Sequence, residues 1–201
     1  MDNLRFFIRG GFFLRLYLVS VSDNIWGADP DEKIRIAANW LSLSAPRPLF
    51  ISNLWLPLHL YFLALTIKIF NNLAIVPRIA HVLIGCISLI PFYSLTRIIF
   101  GKKAALYSTL LFIFYPLHVL CSIVTLSEIL FLLFLLVFIY SYLKYIETNK
   151  SIFFSAAIIS FILSSSVRYE GLVLIPIITA HLILNGRKKK ALVFFMSQCF
   201  F

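Results

Sequence analysis

The sequence predicts an all-α protein, a polytopic transmembrane helix bundle with short interfacial helices in one loop. Of the 201 residues, 61% are hydrophobic and 13% are charged, whereas about a quarter of the residues in soluble domains are charged. Apolar stretches close to the roughly 20 residues that cross a bilayer recur from Phe6 almost to the C-terminus. A membrane-spanning segment must form all its backbone hydrogen bonds within the protein. No alternating pattern typical of a β-barrel appears, so the spanning segments are predicted to be helices.

Residues 1–201 are interpreted as one transmembrane module. Its apolar segments are Leu4 to Ser22, Leu54 to Phe70, Arg78 to Phe100, Ala104 to Val124, Glu128 to Ile146, Ile152 to Val167, Leu172 to Leu184, and a last one from Ala191 to Phe201. The long polar interruption 23–53 is predicted to be the first non-cytoplasmic loop. A cleavable signal peptide is the alternative for the first segment, but no small-x-small cleavage site follows it.

The net charge of +10 is explained by membrane topology and not by nucleic acid, because the basic residues lie in loops beside apolar segments. Short cytoplasmic loops hold the excess of Lys and Arg. Most of these residues are cytoplasmic if the segment Leu54 to Phe70 does not cross, and most are outside if it does. We therefore predict a re-entrant or interfacial segment there, a cytoplasmic N-terminus, and a multi-pass protein of a plasma or endoplasmic-reticulum-type membrane.

The first candidate site is the acidic run Asp29-Pro30-Asp31-Glu32 in the long loop. Its structural explanation is that Pro30 and the acids suit the first turn of a short surface helix. A carboxylate just outside the bilayer can instead accept a proton from a hydroxyl or amine that attacks an activated sugar. Asp29 and Asp31 are also the candidates for holding a divalent cation, Mg²⁺ or Mn²⁺, against a phosphate, although a single Asp-x-Asp is a weak metal signal.

Other breaks that open on the same face carry charged residues as well. Glu128 follows Ser127 at the start of a strongly apolar helix. There its carboxylate either interacts favourably with the positive end of the helix dipole or supports a site near the membrane. Arg168 and Glu170 either form a surface ion pair, or Arg168 binds a phosphate or pyrophosphate leaving group through its planar guanidinium. Arg78 is a second candidate for a phosphate.

Several different short motifs follow one another along nearly the whole chain. They are Asp31-Glu32 with Ala37-Ala38 after an apolar first helix, Leu56-Pro57-Leu58, Pro77-Arg78-Ile79 with Gly85, Ile99-Phe100-Gly101, Tyr115-Pro116, Ser127-Glu128, and Ser166-Val167-Arg168-Tyr169-Glu170-Gly171. Their order and spacing resemble the GT-C class of membrane glycosyltransferases, especially the family that includes protein O-mannosyltransferases and lipid A aminoarabinose transferases.

The resemblance implies a GT-C-like bundle that transfers a mannose-like hexose or a pentose from a polyprenyl-phosphate donor, with inversion, on the non-cytoplasmic face. The acceptor would be a lipid, a glycan or a protein. The residues that the resemblance assigns to the site are the catalytic acids Asp31 and Glu32, the donor-phosphate ligands Arg78 and Arg168, and the supporting acids Glu128 and Glu170. Because members of this family are several hundred residues long, we expect the chain to be the N-terminal part of a longer, truncated fold and to be incomplete for activity alone.

Two other functions are compatible with the composition. A transporter or flippase would place charges in mid-membrane and show repeat symmetry, whereas here Glu128, Arg168 and Glu170 lie at segment ends and no repeat appears. A non-catalytic membrane subunit is favoured only by the short length.

Overall fold

The structure is a computed structural model that describes residues 2–22, 28–43 and 55–198, and every regular element in these ranges is helical. The predicted all-α bundle is therefore confirmed, while parts of the loop 23–53 and residues 199–201 lie outside the described residues. The helices are α1 (Asp2–Val21), α2 (Ala28–Ser42), α3 (Pro57–Phe70), α4 (Ile75–Ile113), α5 (Pro116–Ile123), α6 (Ser127–Thr148), α7 (Ser151–Ser165), α8 (Leu174–Leu184) and α9 (Lys188–Gln198), with a 3-10 turn at Tyr169–Val173.

The outer surface of the bundle is apolar. Among the described helices, α4 and α6 are long and apolar enough to cross a bilayer, and α3 and α7 are shorter apolar helices. Leu83, Ile87 and Ile90 form an exposed stripe along α4, each about half accessible. Aliphatic stripes of this kind are unfavourable in water and suit contact with lipid. The fold is that of a membrane-associated helical bundle.

Gly101 divides α4 into two antiparallel limbs. Its φ of 82° and ψ of 173° fall in a region that essentially only glycine adopts. Phe92 of the first limb stacks on Phe112 of the second, with ring centroids 4.2 Å apart, and Ser88 lies 3.1 Å from His118 of α5. The chain therefore reverses at Gly101, as the predicted break after Phe100 requires.

The predicted single segment from Ala104 to Val124 is wrong, because the structure divides it into two helices. The second limb of α4 ends at Ile113, and α5 begins at Pro116. Proline has no backbone N–H and disfavours helical backbone in the residue before it, and Tyr115 is accordingly extended, with φ −62° and ψ 120°. A proline-induced break thus replaces the expected continuous helix.

Contacts between the helices define two ends of the bundle. At one end, Arg78 at the start of α4 bonds to Ser22 after α1, and Arg168 after α7 bonds to Glu128 at the start of α6. We call this the site end. The opposite end holds the turns at Gly101, Asn149 and Gly186, and we call it the basic end, because its loops carry Lys102, Lys103, Lys150, Arg187, Lys188 and Lys189.

Both ends of α3 lie at the site end. The backbone N–H of Leu58 donates to the carbonyl oxygen of Ser166, just after α7 (3.2 Å), and α4 begins at Ile75, only a few residues after Phe70. The 14 residues of α3 span about 21 Å, less than the roughly 30 Å hydrocarbon core of a bilayer. This arrangement is the one that the predicted interfacial segment requires, although its position in a bilayer stays a prediction.

Helices α2 and α3 pack against each other across the site end. Their shared apolar cluster consists of Ile34, Ala37, Leu63, Ala64 and Ile67. The Trp40 and Tyr61 rings extend this contact edge to face, with centroids 5.4 Å apart. One face of α2 is therefore buried on α3, which fixes where the polar residues at the start of α2 point.

Candidate functional site

A cavity of about 500 Å³ opens at the site end. Its charged and hydroxyl side chains are Asp29, Lys33, Ser127, Glu128, Arg168, Tyr169 and Glu170. They come from the start of α2, the start of α6 and the 3-10 turn after α7, which are far apart in sequence. Of the residues predicted to form a site, the cavity brings together Glu128, Arg168 and Glu170, with Asp29 as a fourth.

Arg168 is the centre of the hydrogen-bond network in this cavity. Its Nη1 donates to Glu128 Oε1 (2.5 Å) and to Ser127 Oγ (3.4 Å). Its Nε donates to Glu170 Oε1 (3.0 Å), and its Nη2 donates to the same oxygen. The hydrogen bond with Glu170 raises the pKa of the Arg168 guanidinium and lowers the pKa of the Glu170 carboxyl. Two carboxylates therefore fix the plane of the guanidinium.

Lys33 is the second cation of the cavity, and sequence patterns alone do not identify it. Its side chain is only 3% exposed, and its Nζ lies 2.6 Å from Asp29 Oδ2. The same Nζ lies 3.5 Å from Ser127 Oγ and 5.7 Å from the centre of the Trp55 ring. The available signal is the spacing of four residues between Asp29 and Lys33, which places both on one helical face.

The charges of the cavity are arranged in depth. The cationic side chains are the less accessible ones, with Lys33 3% and Arg168 29% exposed. The carboxylates of Asp29, Glu128 and Glu170 are 45%, 42% and 57% exposed. The Ser127 hydroxyl is within hydrogen-bond distance of both cations. The two cations therefore form the inner part of the cavity, and an anionic group of a ligand would compete with the paired carboxylates for contact with them, in surroundings where partial burial strengthens charge interactions.

Asp31 and Glu32 lie on α2 but do not line this cavity. Asp31 is exposed, and successive helical residues are rotated by about 100°, so Asp31 points away from the face that carries Asp29 and Lys33. Glu32 forms an exposed ion pair with Arg35 (2.6 Å). The catalytic roles expected for Asp31 and Glu32 stay predictions.

Arg78 lies outside the cavity and ties helix ends together. Its guanidinium donates to the carbonyl oxygens of Ile123 (3.0 Å), Val19 (3.1 Å) and Ser22 (2.8 Å), and to the Ser22 hydroxyl (2.8 Å). Carbonyl groups at helix C-termini lack intrahelical partners, so Arg78 stabilises the ends of α1 and α5. The structure thus gives Arg78 a packing role, while its predicted contact with a donor phosphate stays a prediction.

A second cavity, of about 540 Å³, adjoins the first at Glu128, which lines both. It lies between α5 and α6, and its wall is mainly apolar, with Leu117, Leu126, Ile129 and Leu132 among its residues. A polar cavity and an apolar one that share a wall residue suit an amphiphilic ligand, because its charged and hydrocarbon parts prefer different surroundings.

The metal expectation rests on Asp29 and Asp31. Within residues 2–22, 28–43 and 55–198, no group of three or more His, Cys, Asp or Glu side chains has a geometry that could hold a metal ion. Asp29 is paired with Lys33, and Asp31 faces away from the cavity. A divalent cation at this site stays a prediction.

A family profile of dolichyl-phosphate-mannose-protein mannosyltransferases matches residues 48–198. The chain belongs to this family. Membership in this mannosyltransferase family confirms the resemblance to GT-C enzymes and identifies the chain as a membrane glycosyltransferase. A search of curated proteins finds no match.

The match to the mannosyltransferase family covers only part of the candidate site. Residues 48–198 include Arg78, Glu128, Arg168 and Glu170, but α2 precedes this range. Family membership therefore supports glycosyl transfer in general, while the contribution of α2 rests on the geometry of the cavity and on the motif resemblance.

Proposed function

We propose that the protein transfers a mannose-like sugar from a polyprenyl-phosphate donor to an acceptor at the site end. The observation that carries the proposal is the pair of adjoining cavities, one containing Lys33 and Arg168 and the other apolar. The donor has the matching chemistry, since its phosphate lies between a sugar and a long hydrocarbon chain. The phosphate would lie against the two cations, and the chain would lie between α5 and α6.

The cations act on the leaving group. In the transfer, the bond between the anomeric carbon and a phosphate oxygen breaks, and negative charge develops on the phosphate. Positive groups that are already in place stabilise such charge without reorganisation. Arg168 contributes a positive charge whose plane is held by Glu128 and Glu170, and Lys33 adds a largely buried point charge. These acids thus support the site by orienting Arg168.

A carboxylate of α2 is proposed as the base. The acceptor hydroxyl or amine attacks the anomeric carbon opposite the leaving phosphate, which inverts the centre, and its proton passes to the carboxylate. The motif resemblance assigns this role to Asp31 with Glu32 beside it, whereas the cavity geometry favours Asp29. Both possibilities place the base on the first turns of α2, but only Asp29 lines the polar cavity.

The experiment compares Asp29→Asn and Asp31→Asn in the full chain in lipid nanodiscs. Transfer of radiolabelled sugar from a polyprenyl-phosphate mannose donor is measured with lipid, glycan and peptide acceptors, with and without a metal chelator. The variant that lacks the base is expected to lose transfer by about 100-fold or more, the usual contribution of general base catalysis. Near wild-type transfer by both variants would exclude Asp29 and Asp31 as the base, and wild-type protein that neither binds nor uses the donor would overturn the proposal.

We also infer that the site end faces the non-cytoplasmic side and that the N-terminus is cytoplasmic. The support is the concentration of basic residues in the loops of the basic end, because such residues accumulate on the cytoplasmic side of membrane proteins. The acceptor would then be a lipid, a glycan or a protein outside the cytoplasm.

A further inference from the structure

Arg15 is a buried cation inside the first apolar helix. Its side chain is fully buried. Its Nη1 donates to the Gly11 carbonyl oxygen (2.9 Å), and its Nη2 donates to the Ile113 carbonyl oxygen (3.0 Å) and lies 2.7 Å from His118 Nδ1. None of the ion pairs formed by the described residues includes Arg15. A charge at such a position is costly, and this cost points to a function.

The hydrogen bonds around His118 have one consistent direction. The Ser88 hydroxyl donates to the Gly85 carbonyl oxygen (2.7 Å), so it can only accept from His118 Nε2, 3.1 Å away. His118 Nε2 therefore carries the proton, and Nδ1 offers its lone pair to Arg15. We assign His118 as a neutral ring in the Nε2–H form, with Arg15 and Ser88 fixing its orientation.

The His118 ring forms part of the wall of the apolar cavity. Its ring centroid lies 4.3 Å from that of Phe112, another wall residue. Since both ring nitrogens bond to other protein groups, the ring presents no unpaired polar atom to the cavity. An unpaired Nδ1 would be a buried acceptor without a donor, which is unfavourable.

The close approach of α1 to the break between α4 and α5 is built into the sequence at Gly11. A Cβ atom at Gly11 would lie 2.7 Å from Ile113 Cγ2 and 3.1 Å from Arg15 Nη1. Glycine one turn before Arg15 thus lets its guanidinium reach the Ile113 carbonyl. The contact holds the end of α4 beside the start of α5, where the cavity wall begins.

We propose that Arg15 is a positioning residue for the apolar cavity. Through Ile113 and His118, it holds the break between α4 and α5 and keeps the adjoining wall apolar, so that the cavity binds the hydrocarbon chain of a lipid phosphate. The inference rests on the proposed function, because that function supplies the lipid-linked donor, and it extends that function to a residue that contacts neither the phosphate nor the sugar.

The test measures binding of two sugar-free probes to the full chain in nanodiscs, a long-chain polyprenyl phosphate and a two-isoprene phosphate. Arg15→Met removes every donor of the guanidinium, and Arg9→Met, on the exposed part of the same helix, is the matched control. Arg15→Met is expected to weaken the long-chain probe by about tenfold or more and to leave the short one unchanged. Arg9→Met is expected to leave both probes unchanged. The factor of ten corresponds to about 1.4 kcal/mol of binding free energy.

A double variant separates positioning of His118 from general packing. His118→Phe keeps an aromatic wall and removes the nitrogen that needs Arg15, so Arg15→Met with His118→Phe is expected to bind the long-chain probe more tightly than Arg15→Met alone, with the bond to Ile113 still lost. If Arg15→Met alone does not fold, the double variant and His118→Ala supply the comparison, with selective loss of the long-chain probe expected for His118→Ala. Equal weakening of both probes, or no change in either, would overturn the inference.

The outcomes also separate this inference from the proposed function. Because neither probe carries a sugar, long-chain binding that depends on Arg15 would uphold the inference even if the wild-type protein transfers no sugar. Conversely, sugar transfer from a long-chain donor that is unaffected by Arg15→Met would uphold the function and overturn the role of Arg15.

Discussion

Lys33 is the least accessible charge in the polar cavity, with its ammonium held between Asp29, Ser127 and Trp55. Because hydrogen bonds to charged groups contribute about 1.5–3 kcal/mol, Lys33→Met is expected to lower kcat/KM for the donor by roughly 10- to 100-fold. Asp29 is already 45% exposed, so its carboxylate remains hydrated and the fold is retained.

The control for Lys33→Met is Arg35→Met on the same helix. Arg35 is exposed and pairs with Glu32 outside the cavity, so its loss is expected to leave kcat/KM close to wild type. Initial rates across donor concentrations make the comparison. An equal loss in both variants would show that the positive charge of α2 as a whole matters, and not the position of Lys33 in the cavity.

Glu170 gives a prediction about pH. Its hydrogen bond from Arg168 lowers its pKa, so the bond stabilises the fold above the ordinary carboxyl pKa and is lost as the pH falls through the lowered value. Glu170 is 57% exposed, so this contribution is small, about 0–1 kcal/mol. The wild type is expected to unfold at a higher temperature than Glu170→Gln at neutral pH, and the difference should vanish in strong acid.

Thermal unfolding of detergent-solubilised protein across a pH series checks this expectation. Glu147→Gln, which removes an acid at the basic end that pairs with Lys144, controls for the loss of one negative charge. A difference between wild type and Glu170→Gln that grows as the pH falls would contradict the assigned direction of the Glu170 shift.

The sequence was sufficient to predict which breaks between helices lie together, but it did not predict every residue that lines the polar cavity. Glu128, Arg168 and Glu170 follow helix breaks that open on one face, so their proximity could be predicted. The role of Lys33 depends on burial by Trp55 and Ser127, which no local pattern reveals. Arg15 did carry a signal, a cation well inside an apolar segment, but its partners Ile113 and His118 lie about 100 residues away in the chain.

At the scale of the elements, breaks made by special residues were the most predictable features. Gly101 and the pair Asn149-Lys150 separate helices as the sequence predicts. The break at Tyr115-Pro116 was not predicted, because the apolar run continues through it. Hydropathy describes the polarity of side chains and does not report on backbone conformation. Proline at the first turn of a helix was the physical signal for that break.

Gly101 and Gly10 form a matched pair for a stability prediction. At φ 82° and ψ 173°, any side chain is strained, so Gly101→Ala is expected to lower the free energy of unfolding by about 1–3 kcal/mol. Gly10 lies within α1, and a Cβ atom added there would meet no other atom within 4 Å, so Gly10→Ala is expected to raise it by about 0.5–1 kcal/mol. Unfolding in a denaturant series measures both, and Gly101→Ala as stable as wild type would contradict the reversal at that residue.

At the scale of the whole molecule, polarity is sorted along the bundle. The site end combines acids with the cations of the polar cavity, whereas the loops of the basic end are rich in lysine and arginine. The sides of the bundle expose aliphatic residues between these ends. Composition and loop charges predicted this sorting, because apolar residues suit surfaces in contact with lipid and charged residues suit surfaces in contact with water. They do not determine the depth of α3, which depends on its packing against α2 and on Ser166.

The placement of α3 leads to a prediction about topology. If α3 does not cross the membrane, a residue before it and a residue after it lie on the same side. Single cysteines at Asn39 on α2 and Leu73 after α3, both exposed, are therefore expected to react with a membrane-impermeant maleimide in sealed right-side-out vesicles. Cysteines at Lys103 and Lys150 are expected to react only after permeabilisation, because their loops lie at the basic end.

The native cysteines Cys86, Cys121 and Cys199 are replaced first, so that each introduced cysteine is the sole target of the maleimide. A cysteine at Tyr169, in the 3-10 turn that lines the polar cavity, gives an independent report on the site end and is expected to follow Asn39 and Leu73. Reaction of cysteines at positions 39 and 73 from opposite sides would mean that α3 crosses, since α3 is the one complete helix between them in the described ranges 28–43 and 55–198. In that case every later loop changes sides, and Glu128 and Arg168 would lie across the membrane from Asp29 and Lys33, which would contradict the polar cavity that these residues share.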